Sequence, residues 1–182
     1  MRKRIIMMMA ALAVSIAVAN AAVFVYYPVG VTAIPQKPDV VFAPGTNAGN
    51  TDLGGNTITV NIGVNATNAT IVVHPTLEYT YYYDILVVKN NGTQAYYVNF
   101  YVSDANYTAA GFTNAYLVVD GVKYPIVAGQ LVLANNLQLA AGANITIGIL
   151  FYAPDDAKFN GNAAISLNLV YSPVNETAPN LP

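Results

Sequence analysis

From residue 57 to residue 171, apolar residues recur at nearly every second position, and that spacing suits one kind of backbone. On an extended strand, residues two apart share a face, whereas a helix needs spacings of three and four. Ile58, Val60, Ile62 and Val64 alternate with Thr57, Thr59, Asn61 and Gly63. Leu77, Tyr79, Tyr81, Tyr83, Ile85 and Val87 line one face of a long strand, with Glu78, Thr80, Tyr82 and Asp84 on the other. Tyr96, Val98, Phe100 and Val102 share a face, as do Ile145, Ile147, Ile149 and Phe151, and later Ile165, Leu167, Leu169 and Tyr171. Shorter strands are expected at 114–120, 122–127, 131–133 and 137–139. Asn91-Gly92 and Asp120-Gly121 read as hairpin turns, because these pairs accept positive φ. No segment after residue 35 has a helical period. The expectation is an all-β domain over 57–172, an antiparallel sandwich, followed by a tail over 173–182.

The front of the chain is different. Arg2-Lys3-Arg4 precedes an apolar run from Ile5 to Ala19, and Ala19-Asn20-Ala21 has the A-x-A form of a cleavage site. Residues 1–21 therefore read as a signal peptide cut after Ala21. A second reading stays open. The apolar stretch continues to Tyr27, long enough for a retained anchor or a type IV pilin-like N-terminal helix. Against the helix stand Pro28 and Gly30, and Arg4 running straight into Ile5 where pilin precursors place a small residue.

Residues 22–34 fit a strand better, with Val23, Val25, Tyr27, Val29 and Val31 on one face. Residues 35–56, rich in Pro and Gly, read as a mostly irregular linker with a short strand possible near 39–43.

Charge narrows the function. Only 9% of residues are charged, against about 25% in ordinary soluble domains. After signal removal, Lys37, Lys89, Lys123 and Lys158 face nine acids, a net charge of −5 with no arginine. A nucleic-acid surface needs the opposite sign.

Chemistry is equally sparse. There is no cysteine, so thiol catalysis and thiolate metal sites are out. The single histidine, His74, precedes Pro75 and lies in no H-E-x-x-H motif, and reads as a strand-edge side chain bonded to water or backbone. Ser103, Ser166 and Ser172 lie in no G-x-S-x-G elbow. Asp104 and Asp155-Asp156 lack calcium-loop spacing and read as solvated loop acids. No catalytic residue, metal or cofactor is expected, and the chain does not read as an enzyme.

Six N-x-[ST] sequons, at Asn65, Asn68, Asn91, Asn106, Asn144 and Asn175, are candidate glycan acceptors that would supply the solvation charge does not. The fourteen tyrosines suit half-buried pleated surfaces. Tyr82, Tyr97 and Tyr101 are expected to point outward, for packing between subunits rather than as a sugar platform.

An apolar strand set apart from its domain must return to its own sheet or enter another subunit's. Entering a neighbour is β-strand addition, and because the contact is head-to-tail it propagates as a fibre. Five buried side chains at about 1.5–3 kcal/mol each contribute roughly 7–15 kcal/mol before ordering costs. The expected partners are identical subunits head-to-tail, and neighbouring filaments in bundles.

Three stretches carry a family resemblance: Ala69-Thr70-Ile71-Val72-Val73-His74-Pro75, residues 83–93 (YDILVVKNNGT) and residues 140–147 (AAGANITI). Together they resemble TasA/camelysin-like biofilm-fibre proteins, closest to archaeal bundling pilins. The resemblance implies a jelly-roll-like sandwich and an extracellular filament built by donor-strand exchange, with Val23, Val25 and Tyr27 as donor. Some members are described as metallopeptidases, but this chain lacks the histidine-rich ligands for that. The alternatives are a pilin-like subunit with a helical N-terminus and a surface-anchored glycan-binding module.

Overall fold

Ten strands, one long helix and a short 3-10 turn at Val64–Ala66 make up the structure, a computed structural model that describes residues 2–19 and 27–176, with the side chains of 11–19 excepted. The chain divides into two units, Met1–Pro35 and Gln36–Pro182. In the first, Arg2–Ala19 forms α1, a run dominated by good helix formers such as Ala, Met and Leu. No helix among the described residues is long and apolar enough to cross a membrane. Residues 27–34 belong to no helix or strand. The expected cut after Ala21, the donor positions Val23 and Val25, and the end of the tail lie outside the described residues.

The second unit is antiparallel throughout. β1 (Val40–Pro44), β2 (Thr59–Ile62), β3 (Ala69–Val72), β4 (Glu78–Asn90) and β5 (Tyr96–Ala105) come first. β6 (Asn114–Val119), β7 (Val122–Pro125), β8 (Leu137–Leu139), β9 (Asn144–Ala153) and β10 (Ile165–Ser172) follow. They form a five-stranded sheet in the order β1-β4-β9-β6-β7, a three-stranded sheet β10-β5-β8 and a two-stranded sheet β2-β3. Val88 of β4, Val98, Phe100 and Val102 of β5, Leu117 of β6 and Ile145 and Ile147 of β9 are buried in one shared core. Each such side chain contributes about 1.5–3 kcal/mol of burial. The all-β class expected from the period of two is the class observed.

Within the expected linker over 35–56, the short strand expected near 39–43 is present as β1, a paired edge strand with Val40 opposite Asn90 and Pro44 opposite Leu86. Several details differ from the sequence expectation. No strand forms at 131–133, where Leu131 makes a single bridge to Tyr101.

Asp120-Gly121 is a hairpin turn between β6 and β7, with positive φ at both residues, as a type I′ turn requires. Asn91-Gly92 is not a hairpin turn. β4 and β5 lie in different sheets, and the chain arches between them. The Asn90 side chain holds this arch. Its Nδ2 donates to the carbonyls of Gln94, Leu139 and Ala140, and its Oδ1 accepts from Gly92 N–H.

Over residues 79–84, β4 buries the opposite face from the one expected, whereas Ile85 of the expected face is buried. Thr80, Tyr82, Asp84, Leu86, Val88 and Asn90 are buried, while Tyr79, Tyr81 and Tyr83 are 64%, 46% and 53% exposed. Tyr82 therefore does not point outward. Tyr97 and Tyr101 are half-buried and alternate with the buried Val98, Phe100 and Val102. Some inward polar groups of β4 find partners, while the buried Tyr82 hydroxyl and Asp84 Oδ1 have none among the described residues. Thr80 and Thr76 share hydrogen bonds, and the Asp84 carboxylate accepts from the Thr46 N–H and hydroxyl.

Asp84 has φ 46, and its strand carries a register irregularity against β9 between Tyr82 and Leu86. The 45–50 turn docks at this bulge, with Gly45 N–H donating to Ile85 and Asn47 N–H to Asp84. A Cβ at Gly45 would lie 2.1 Å from the Asp84 carbonyl oxygen, so only glycine allows that approach.

Candidate functional site

The second layer of the domain is in two pieces. β2-β3 and β10-β5-β8 are separate sheets, and an apolar cleft of about 1170 Å³ lies where they fail to meet. That exceeds the ~300–1,000 Å³ of ordinary small-molecule pockets.

β3 lines one side of the cleft with Ala69 and Ile71, and Val73 just beyond continues that row. β10 lines the other with Ile165, Leu167 and Leu169. The floor is the inner face of the five-stranded sheet, including Ile85, Leu117, Ile147 and Phe151. These floor residues are buried, but the flanking rows are only half-buried.

Each flank is also a sheet edge. Among the described residues, β3 pairs only with β2, and β10 only with β5. A strand with one partner leaves a row of N–H and C=O groups unpaired. An extended peptide in the cleft would lie beside both edges. It would also cover the half-buried rows. The cleft thus offers half-buried apolar rows and two strand edges.

At the end of β3 the cleft is lined by His74 and Pro75. His74 Nδ1 lies 2.8 Å from Asp52 Oδ2, so the histidine has a carboxylate partner that its sequence position did not suggest. Asp52 Oδ1 also accepts from the N–H groups of Gly54 and Asn56. Burial opposes ionisation of Asp52, but the His74 hydrogen bond and the two backbone donors outweigh it and hold its carboxyl below the ordinary value. The buried Tyr82 hydroxyl is pushed up to about 12 by desolvation and by the Asp52 charge.

A carboxyl with a lowered folded pKa adds stability above its unfolded value, and that stability is lost as pH falls through the folded pKa. Urea midpoints are therefore expected to drop in the acid carboxylate range, and Asp52→Asn should flatten part of that drop. An identical acid profile for the variant would contradict this role.

Tyr27, Val29 and Val31, the described donor positions, are 83%, 82% and 86% exposed and pair with no strand. All six sequon asparagines (Asn65, Asn68, Asn91, Asn106, Asn144 and Asn175) are exposed. Asn68 stands on the cleft rim. Asn106 Oδ1 accepts from Ala164 N–H, which leaves its Nδ2 free of that bond.

Ser103 donates to the Ser166 carbonyl and Ser172 to Glu176. Among the described residues no group of three or more His, Asp or Glu could hold a metal ion. The cleft rows were not singled out in the sequence, since Leu167 and Leu169 alternate just as the fully buried strands do.

No protein-family model matches the chain, and no curated protein matches it either.

Proposed function

We propose that this protein is the structural subunit of an extracellular filament, polymerising when residues 22–34 of one copy enter the β3/β10 cleft of the next. The observation that carries the reading is the cleft itself: apolar, open, and bordered by two strand edges. The exposed row Tyr27, Val29 and Val31 supplies a complementary occupant.

Donation between copies is heterologous and does not close, so it yields a fibre. The TasA-like resemblance of residues 69–75, 83–93 and 140–147 points the same way. A leader over 1–21 would deliver the chain outside the cell, and glycans on the exposed sequons would solvate a surface poor in charge.

The test uses a chain beginning at residue 36 and a synthetic peptide of residues 22–34. The peptide is expected to bind one-to-one with a Kd of about 1 μM or tighter, equivalent to about 8 kcal/mol, and to raise the thermal midpoint. A scrambled peptide of the same composition should do neither. Equal binding by both peptides would overturn the proposal.

A further inference from the structure

The outer face of the five-stranded sheet is also unusual. On it, Tyr79 stacks on Tyr152 with centroids 4.5 Å apart, and Tyr81 meets Tyr83 edge-on at 6.2 Å. In register, Tyr81 lies beside Leu150, which lies beside Tyr116. Gly148 sits against the Tyr81 ring with no side chain of its own, so the surface there is shallow. Exposed aromatic surface of this kind is uncommon on a monomer and is enriched at interfaces.

Charge is separated along the strands of this face. Tyr79, Tyr152 and Asn114 form one cross-strand row. At that end stand Glu78, Asp155 and Asp156, all exposed. Burial, then Glu78, Tyr79, Asp155 and Asp156, push the Tyr152 hydroxyl above its ordinary value, which places these acids around the ring.

At the other end Lys123 pairs with Val118, opposite Gly148, and its Nζ sits 4.9 Å from the Tyr116 ring centre. Lys89 lies further along the same face, beside Asn144. Asp120 at that end is engaged, accepting from Thr146 N–H.

We propose that this tyrosine face is a self-association surface that joins two copies of the chain about a two-fold axis near Tyr81 and Leu150. The two-fold turns one copy end for end. The acidic row of each then meets Lys123 of the other, while the tyrosines and Leu150 pack at the centre. Such an isologous contact needs one self-complementary patch, and the charge separation supplies it. The contact is independent of the donor-strand reading, because it uses the face of the sheet opposite the cleft floor.

The test is self-association of the full secreted chain at low salt, with Lys123→Glu, Asp155→Lys, their combination, and Tyr81→Ser. Pairing is read by sedimentation if the chain stays short. If it forms fibres, pairing is read by electron microscopy as side-by-side contact between them. Each single charge variant is expected to weaken pairing about ten-fold, equivalent to 1.4 kcal/mol, and the combined variant to restore it. Tyr81→Ser should weaken it without rescue. These positions are exposed, so unchanged thermal midpoints are expected, and rescue by the charge swap separates a contact from a folding defect.

Two results would overturn the proposal. One is pairing indifferent to the charge and tyrosine variants. The other is a chain that never pairs but is retained on cellulose or chitin particles through these tyrosines, which would make the face a polysaccharide platform.

Discussion

Leu167→Asp is expected to leave a folded protein that forms no fibres. Leu167 is half-buried on the cleft wall, so in an unassembled copy a carboxylate there still reaches water. Once a donor strand covers it, the charge is sealed in an apolar slot without a partner, a change that costs several kcal/mol. Assembly repeats that cost at every joint.

Ser166→Asp, one residue away and exposed on the other face of β10, should polymerise normally. Deletion of residues 22–34 should match the Leu167 variant from the donor side, giving monomers by electron microscopy. An equimolar mixture of these two defective chains is informative. The Leu167 variant has an intact donor strand and the deleted chain an intact cleft, so the mixture should stop at heterodimers. Fibres of ordinary length from either chain alone would show that assembly uses some other contact.

The largest stability effect is expected at Asn90. It is fully buried, and its side chain makes four hydrogen bonds that hold the arch from β4 to β5 and the approach to β9. Asn90→Leu removes every one of them. The carbonyls of Gln94, Leu139 and Ala140 and the N–H of Gly92 then lose a partner in a site with little water. At about 1–3 kcal/mol per unsatisfied group, with partial relaxation, the loss should reach about 4 kcal/mol. In a domain of this size that lowers the thermal midpoint by about 10–15 °C. Asn90→Asp should be no better, since its carboxylate would face three carbonyl oxygens. A midpoint within about 2 °C of the parent would mean that water or a shifted arch replaces the side chain, well short of the loss expected here.

Tyr79, Tyr81 and Tyr83 mark where periodicity alone misleads. Their spacing shows that they share a face of β4, but not which face is inward. Counted as apolar, the tyrosines outweigh Thr80, Asp84 and Asn90, so the sequence favours burying the wrong side. The structure buries the polar side, and Thr76 nearby, Thr46 and distant backbone carbonyls satisfy most of its polar groups, though not the Tyr82 hydroxyl or Asp84 Oδ1. Asn91-Gly92 misleads in a similar way: the pair permits a tight turn, but whether the strands beyond it share a sheet depends on neighbours about fifty residues away.

By itself the sequence determined what rests on local physics. The period of two specified strands, Asp120-Gly121 specified a turn, and the apolar stretch of residues 22–34 could be recognised as ill-suited to water. Only the tertiary structure decided which strand edges stay unpaired. β3 and β10 carry the same alternation as the strands packed at the centre. What makes them the walls of a cleft is that no strand among the described residues lies between them, a relation among distant segments that no local pattern encodes.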